Sequence, residues 1–430
     1  MTGTLSVGFS LVLLLSGCIF IDVAQQHELS DRSVRLRGTI AGPTPEEGPL
    51  IALLVHWPED GAKPEIVDHY VLVRTGEFYF STTQPGTYSI PAFVDRNENL
   101  RFDPGEPAIA STAANTFVLA EGEAQRDIAL EIGAEDRVPV DGPIDIRELQ
   151  ARSIEDQVGT TMGQLTVEGE IVDLADAKLG RENGDMGLWR PYDFIFQVGA
   201  GVYFLEPYDP ARIPVLFIHG VGGIPQDFAY LIERLDRRRF QPWLYYYPSG
   251  AKLGNVAKHL SQTMAQLELE HGVERFFVVA HSMGGLVARA FLLHHSEAIG
   301  SDAAQLFVTF STPWHGHAWA QLGVDLAPVA VHSWIDIAPE SDFLRGLFYR
   351  EGDTRRKLPD HLPHHMLFGF RRDDSLPGLC SDTVVSVASE LRSEAQEEAV
   401  TIFGYDTDHV GILNREDAAA RLNGFLAAAE

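Results

Sequence analysis

The chain has 430 residues, 45% of them hydrophobic, which is enough for roughly two or three domains, each with its own core. A formal net charge of −28 counts against nucleic acid as a partner, because phosphates need cationic contacts, and a charged fraction of 22% is that of ordinary globular protein rather than of a disordered chain. Only Cys18 and Cys380 are available for pairing, so there is no disulfide framework.

The first element is the apolar run Val7 to Leu15 inside "VGFSLVLLLSGC". A run this short, ending in small residues, reads as an export signal rather than a membrane span. Leu15-Ser16-Gly17-Cys18 resembles the lipobox of bacterial lipoproteins. That resemblance implies removal of residues 1–17, lipidation of Cys18, and an exported lipoprotein anchored to a membrane, periplasmic or at the cell surface. The departure is that no Lys or Arg precedes the apolar run. The alternative is an uncleaved anchor helix running on through Ile19, Phe20 and Ile21. Both readings put the remainder outside the cytoplasm. Residues 18–33 read as a polar tether with little periodicity.

Residues 34–133 carry short β-rich runs punctuated by Gly and Pro: "VRLRGTI", "PLIALLVHW", "DHYVLVRT", "FYFSTT", "GTYSIPAFVD", "NTFVLA" and "RDIALEI". They predict a small antiparallel sandwich of about seven strands, an accessory domain. The order resembles transthyretin-like or carboxypeptidase-regulatory-like domains. Within it, "DRNENLRFDPGE" places Asp95, Asn97, Asn99, Arg101 (through its carbonyl), Asp103 and Glu106 at the ligand positions of a Ca²⁺ loop. Leu100 stands where glycine normally makes the sharp turn. The stretch is similar to calcium loops of extracellular β domains; a polar hairpin with Asx-turn chemistry and no metal is the alternative.

Residues 134–164, acidic and Pro-bearing and then helix-compatible, read as an interdomain connector. From 165 to 430, strand and helix patterns alternate, which predicts an α/β domain with a mostly parallel sheet flanked by helices.

"RFFVVAH" is a continuous apolar run, as expected of a strand buried on both faces, and Met283, Leu286, Val287, Ala290 and Phe291 then recur at helical spacing. Ser282 therefore sits at a strand-to-helix turn among the small residues Ala280, Gly284 and Gly285. This is the nucleophile-elbow pattern, with Ala280 in the first glycine position. A serine needs a base oriented by an acid, and in this arrangement the acid precedes the histidine in the chain. "TDHVGIL" follows the last predicted strand and supplies His409. Beyond the strand "HHMLFGF", Asp373, Asp374 and Asp382 qualify as the acid by position; "SDTVVS" favours Asp382. "IPVLFIHGVGG" ends an earlier strand, and its Val221 N–H can face the same developing charge as the N–H of Met283. His219 reads as a structural hydrogen bonder.

"HGVGG", "AHSMGG", "STPWHGH", "SDTVV" and "DHVGIL", in this order, resemble the α/β-hydrolase superfamily, specifically bacterial triacylglycerol lipases and GPI inositol-deacylase-like serine hydrolases. The resemblance covers residues 165–430. It implies hydrolysis of carboxylic esters, lipid or acyl esters foremost, by Ser282, Asp382 and His409 through an acyl-enzyme, with Val221 and Met283 as oxyanion donors and no cofactor needed for catalysis. Residues 313–360 exceed what a sheet crossover needs and suit a lid, whose Trp314, Trp319, Trp334 and Phe343 either line an acyl pocket or pack the lid onto the body. "HLPHH" is a loop entering a strand, or a zinc site. An acyltransferase or amidase using the same three residues, and an inert surface scaffold, are the competing functions.

Overall fold

The computed structural model describes residues 20–42, 48–133, 137–147, 161–371 and 380–430. Cys18, Asp373 and Asp374 lie outside them. Residues 20–32 form helix α1 where a tether was expected. Val23 and Gln26 are buried at helical spacing. The Gln26 side chain accepts from the Tyr192 N–H at 2.7 Å and donates to Asp193 at 3.2 Å, and the His27 ring stacks on His332 at 3.9 Å. Because the packed stripe combines buried Gln26 with half-buried His27, hydropathy does not reveal it.

Among the described residues the sandwich has nine strands: β1 (Val34–Ala41), β2 (Leu50–Trp57), β3 (Glu65–Leu72), β4 (Gly76–Thr82), β5 (Gly86–Ser89), β6 (Ala92–Val94), β7 (Ala108–Ile109), β8 (Thr116–Leu119) and β9 (Ala124–Glu131). One sheet has the order β4-β1-β9; the other runs β7-β6-β2-β5-β8, with β3 also paired to β2. Every expected run forms a strand. The run "GTYSIPAFVD" divides in two at Pro91, which has no N–H to give a ladder, and β1 pairs with β9 in parallel rather than antiparallel fashion. The inner faces bury Val34, Leu36, Ile40, Leu54, Phe78 and Phe80. Part of the expected connector belongs to this domain instead. Val140, Ile144 and Ile146 close over Ile51, Leu53, Val55 and Phe93 on the other face of the larger sheet.

The C-terminal body is an α/β-hydrolase fold. Its strands are β10 (Thr166–Ile171), β11 (Ala200–Phe204), β12 (Ile213–Ile218), β13 (Phe240–Tyr246), β14 (Phe276–His281), β15 (Ala304–Phe310), β16 (His364–Phe370) and β17 (Ala399–Asp406). They lie in the order β10-β11-β13-β12-β14-β15-β16-β17, and all pairs from β13 to β17 are parallel. β12, β13 and β14 are buried at every residue, as their largely apolar sequences require, and the buried Gln241 of β13 donates to Asp209 O and Arg212 O. Short helices α2 (Arg181–Trp189), α3 (Pro191–Gln197) and α4 (Ala229–Glu233) lie in the first half of the domain.

Helix α5 (Leu253–His271) lies between the two domains. Leu253, Val256, Leu260, Met264 and Leu267 pack toward the large sheet, whereas Ala265 and Leu269 join the sandwich core. The contact is extended by His69 Nε2 and Gln266 Oε1 at 2.9 Å and by the Val73 N–H donating to Ile299 O at 3.1 Å. Helix α6 (Met283–His294) follows the elbow. Arg289 on α6 is fully buried; it donates to Leu347 O and Arg356 O and pairs with Glu398 at 3.0 Å.

The long insertion folds as α7 (Ala318–Leu326), α8 (His332–Ile337) and α9 (Asp342–Phe348). Asp336 on α8 accepts from the N–H of Leu253 at the start of α5, and burial pushes its carboxyl up to about 6. The chain ends with α10 (Val387–Glu390), α11 (Ser393–Glu398), β17 and α12 (Glu416–Ala428).

Candidate active site

Ser282 lies between β14 and α6 with φ 54° and ψ −132°, a strained turn anchored by its N–H on Phe310 O at 2.8 Å. The small residues around it are required by contact. A Cβ on Gly284 would stand 2.3 Å from Ile218 O and 2.4 Å from His219 O, and one on Gly285 would stand 2.0 Å from Thr312 Oγ1.

His409 follows β17 and Asp382 follows β16. His409 Nε2 is 2.8 Å from Ser282 Oγ, and its Nδ1 is hydrogen-bonded to Asp382 Oδ2. The His409 N–H also donates to Asp382 O at 2.8 Å, which fixes one loop against the other. The other oxygen of Asp382 accepts from the N–H groups of Val384 at 3.0 Å and Val385 at 2.6 Å. Burial opposes ionisation of Asp382, but the hydrogen bond from His409 and then those two N–H groups hold the carboxyl below its usual range. The three side chains are almost wholly buried. Chemically this is a hydroxyl, an imidazole oriented to take its proton, and a carboxylate placed to stabilise the imidazolium that results.

The loop after β12 comes next to the serine. A Cβ on Gly220 would lie 2.8 Å from that of Ser282, so only glycine allows the approach. The loop is held by Gly223 N–H to Gly220 O at 3.1 Å and Gly222 N–H to Ser249 Oγ at 2.9 Å. Val221 lies in this turn. Met283 is the first residue of α6, so its N–H has no partner one turn back and points out of the helix N-terminus. His219 is buried, receives the Tyr247 N–H on Nε2, stacks on the Tyr247 ring at 4.3 Å, and is pushed down to about 4 by burial. It is a neutral structural residue.

Two further histidines brace the site, and neither was singled out from the sequence. His281 donates from Nε2 to His409 O at 2.9 Å and is driven down to about 3 by burial and then by the neighbouring His409. His317 donates to Val384 O at 2.8 Å, beside Asp382. Both sit inside the quoted segments "AHSMGG" and "STPWHGH", one position before the serine and at the end of the second segment, which is the only signal the sequence offers. Glu390, buried close to Asp382, carries no such signal.

The loop 95–106 is satisfied within itself. Asp95 accepts from the N–H groups of Asn99 and Leu100, Glu106 from those of Arg96 and Asp103, and the side-chain amides of Asn97 and Asn99 donate to Asp103. The Arg101 N–H goes to Asn99. Leu100, at φ 61°, makes the turn that glycine would make. Among the described residues no group of three or more His, Cys, Asp or Glu side chains is placed to hold a metal ion.

The aromatics of the long insertion part company. Trp314 is buried in the core against Phe307, Phe348 and His364 rather than facing a pocket. Trp334 packs edge-on to Trp189, Phe343 is partly buried, and Trp319 is 71% exposed. In "HLPHH", His364 bonds Thr309, His365 bonds Thr401, and His361 faces solvent, so the three do not meet.

Residues 249–338, from the turn before α5 to the end of α8, match the model of the PGAP1-like alpha/beta domain family. No curated protein matches the chain. Among solved structures, the mature lipase BlEst2 of Bacillus licheniformis aligns with a TM-score of 0.40 and 16% identity, over 52% of this chain and 94% of that one. Lipase B of Aspergillus fumigatus aligns with a TM-score of 0.41 and 15% identity, over 53% of this chain and 56% of that one. The phospholipase PlaB of Legionella pneumophila aligns with a TM-score of 0.33 and 17% identity, over 42% of this chain and 45% of that one.

Proposed function

We propose that the protein is a serine hydrolase of carboxylic esters, with lipid or acyl esters as its substrate class. Ser282 attacks the ester carbonyl while His409 takes its proton, Asp382 orients and stabilises the imidazolium, and the Val221 and Met283 N–H groups receive the charge on the carbonyl oxygen. His409 then protonates the leaving alcohol, and water repeats the sequence on the acyl-enzyme. The observation that supports this most is the continuous chain from Ser282 Oγ through both nitrogens of His409 to Asp382.

The lipid character of the substrate is supported by the lid. Trp319, Leu322 and Leu326 recur along one side of α7 and are 71%, 43% and 73% exposed, an apolar face suited to a lipid–water boundary.

Ser282→Ala is expected to lower hydrolysis of p-nitrophenyl esters by about ten-thousandfold or more. It should also abolish labelling by a fluorophosphonate probe while leaving the circular dichroism spectrum unchanged. Full activity in that variant would sink the proposal.

A further inference from the structure

Glu390 closes α10, is 1% exposed, and lies against the Asp382 carboxylate, the Ser311 hydroxyl and the Gly369 N–H. Neither of its oxygens makes a hydrogen bond of acceptable geometry with a described residue. The cluster is tightly built: a Cβ on Gly369 would stand 3.0 Å from that of Asp382 and 3.3 Å from Ser311 Oγ, and the Gly369 N–H donates to Ser311 at 3.1 Å.

Among the described residues no cation neutralises Glu390. Arg392, two residues on, is paired with Glu394 and donates to Trp314 O. His409 is engaged with the far oxygen of Asp382 and with Ser282, His317 with Val384 O, and His281 with His409 O. The groups that face it from β16 and from the turn after β15 are the uncharged Gly369 N–H and Ser311 hydroxyl. Two carboxyl groups in contact, out of water and without a cation, cannot both be charged.

We propose that Glu390 is a positioning residue that holds a proton in common with Asp382, so that the acid arm of the site is a pair of carboxyl groups carrying one negative charge. This rests on reading Asp382 as the acid of the site. No bond to substrate is involved: the proton stays on Glu390 and is shared toward Asp382, which remains the partner of His409. Burial first, and then the charge of Asp382, push the Glu390 carboxyl up to about 9. Its folded value lies above its unfolded one, so its contribution to stability is complete below the ordinary glutamate range and is lost as pH rises through about 9. Ionisation there places a second charge beside Asp382 and loosens the support of His409.

The test compares wild type with Glu390→Gln, which keeps the shape and a donor but cannot ionise. The melting temperature of the variant, relative to wild type, should climb by several degrees as pH is raised from about 5 to about 9. The alkaline fall in ester hydrolysis, each enzyme scaled to its own rate near neutral pH, should move upward in the variant. An independent readout needs no stable variant: infrared spectroscopy of wild type at about pH 8 should show a protonated carboxyl band that fades as the pH passes about 9. At that pH Asp68 and Asp336, each raised by burial to about 6, are already ionised. Parallel melting curves, coincident alkaline limbs or absence of the band overturn the proposal. The band and the melting curves do not depend on turnover. If Ser282 fails to label while the band is present, the hydrolase reading falls and the shared proton stands; labelling without the band gives the reverse.

Discussion

An alanine in place of a helical glycine ordinarily adds about 1 kcal/mol of stability. At Gly284 the sign should reverse, because the new methyl would meet the carbonyl oxygens of Ile218 and His219, backbone atoms that cannot step aside. Gly284→Ala is expected to cost about 1–3 kcal/mol in urea denaturation and to impair ester hydrolysis by shifting the elbow. An unchanged or raised midpoint would show that the elbow is looser than its contacts indicate. The same residue explains why the site was so legible. Ser282 is surrounded by positions where only small residues fit, and such constraints are written into sequence as a motif. His409 and Asp382 could be reached from the order of the last strands. Glu390 and His281 could not: their importance comes from burial against loops that are distant in the chain, and nothing in local spacing records it.

Among the elements, the strands were read well and the α1 segment was not. The seven β-rich runs all form strands because alternation and turn residues act locally, and Pro91 accounts for the one that divides. Helix α1 buries Gln26 against Tyr192 and Asp193 and half-buries His27 against His332, so its stripe is largely polar and reads as tether. For the long insertion, the exposed apolar side of α7 carries its own prediction. Replacing Trp319 and Leu326 together by serine should reduce hydrolysis of emulsified or vesicular long-chain esters by about tenfold, with much less effect on a short soluble ester. Equal losses on both substrates would mean that this face supports the insertion's structure rather than meeting a lipid surface.

The whole molecule differs from two domains on a string. The stretch 137–147, expected to connect, instead covers a face of the sandwich, and α5 contributes to the cores on both of its sides. Neither feature could be read from composition: Val140, Ile144 and Ile146 are scattered through a Pro- and Gly-bearing segment, and α5 shows an ordinary amphipathic pattern. A wall held in common has a thermodynamic consequence. Melting either half strips the support from the other, so a calorimeter should record one endotherm for the intact chain, where independently folded modules would give two. Hydrogen exchange along α5 should be as slow as in the strands of the large sheet, since opening that helix amounts to opening the entire molecule.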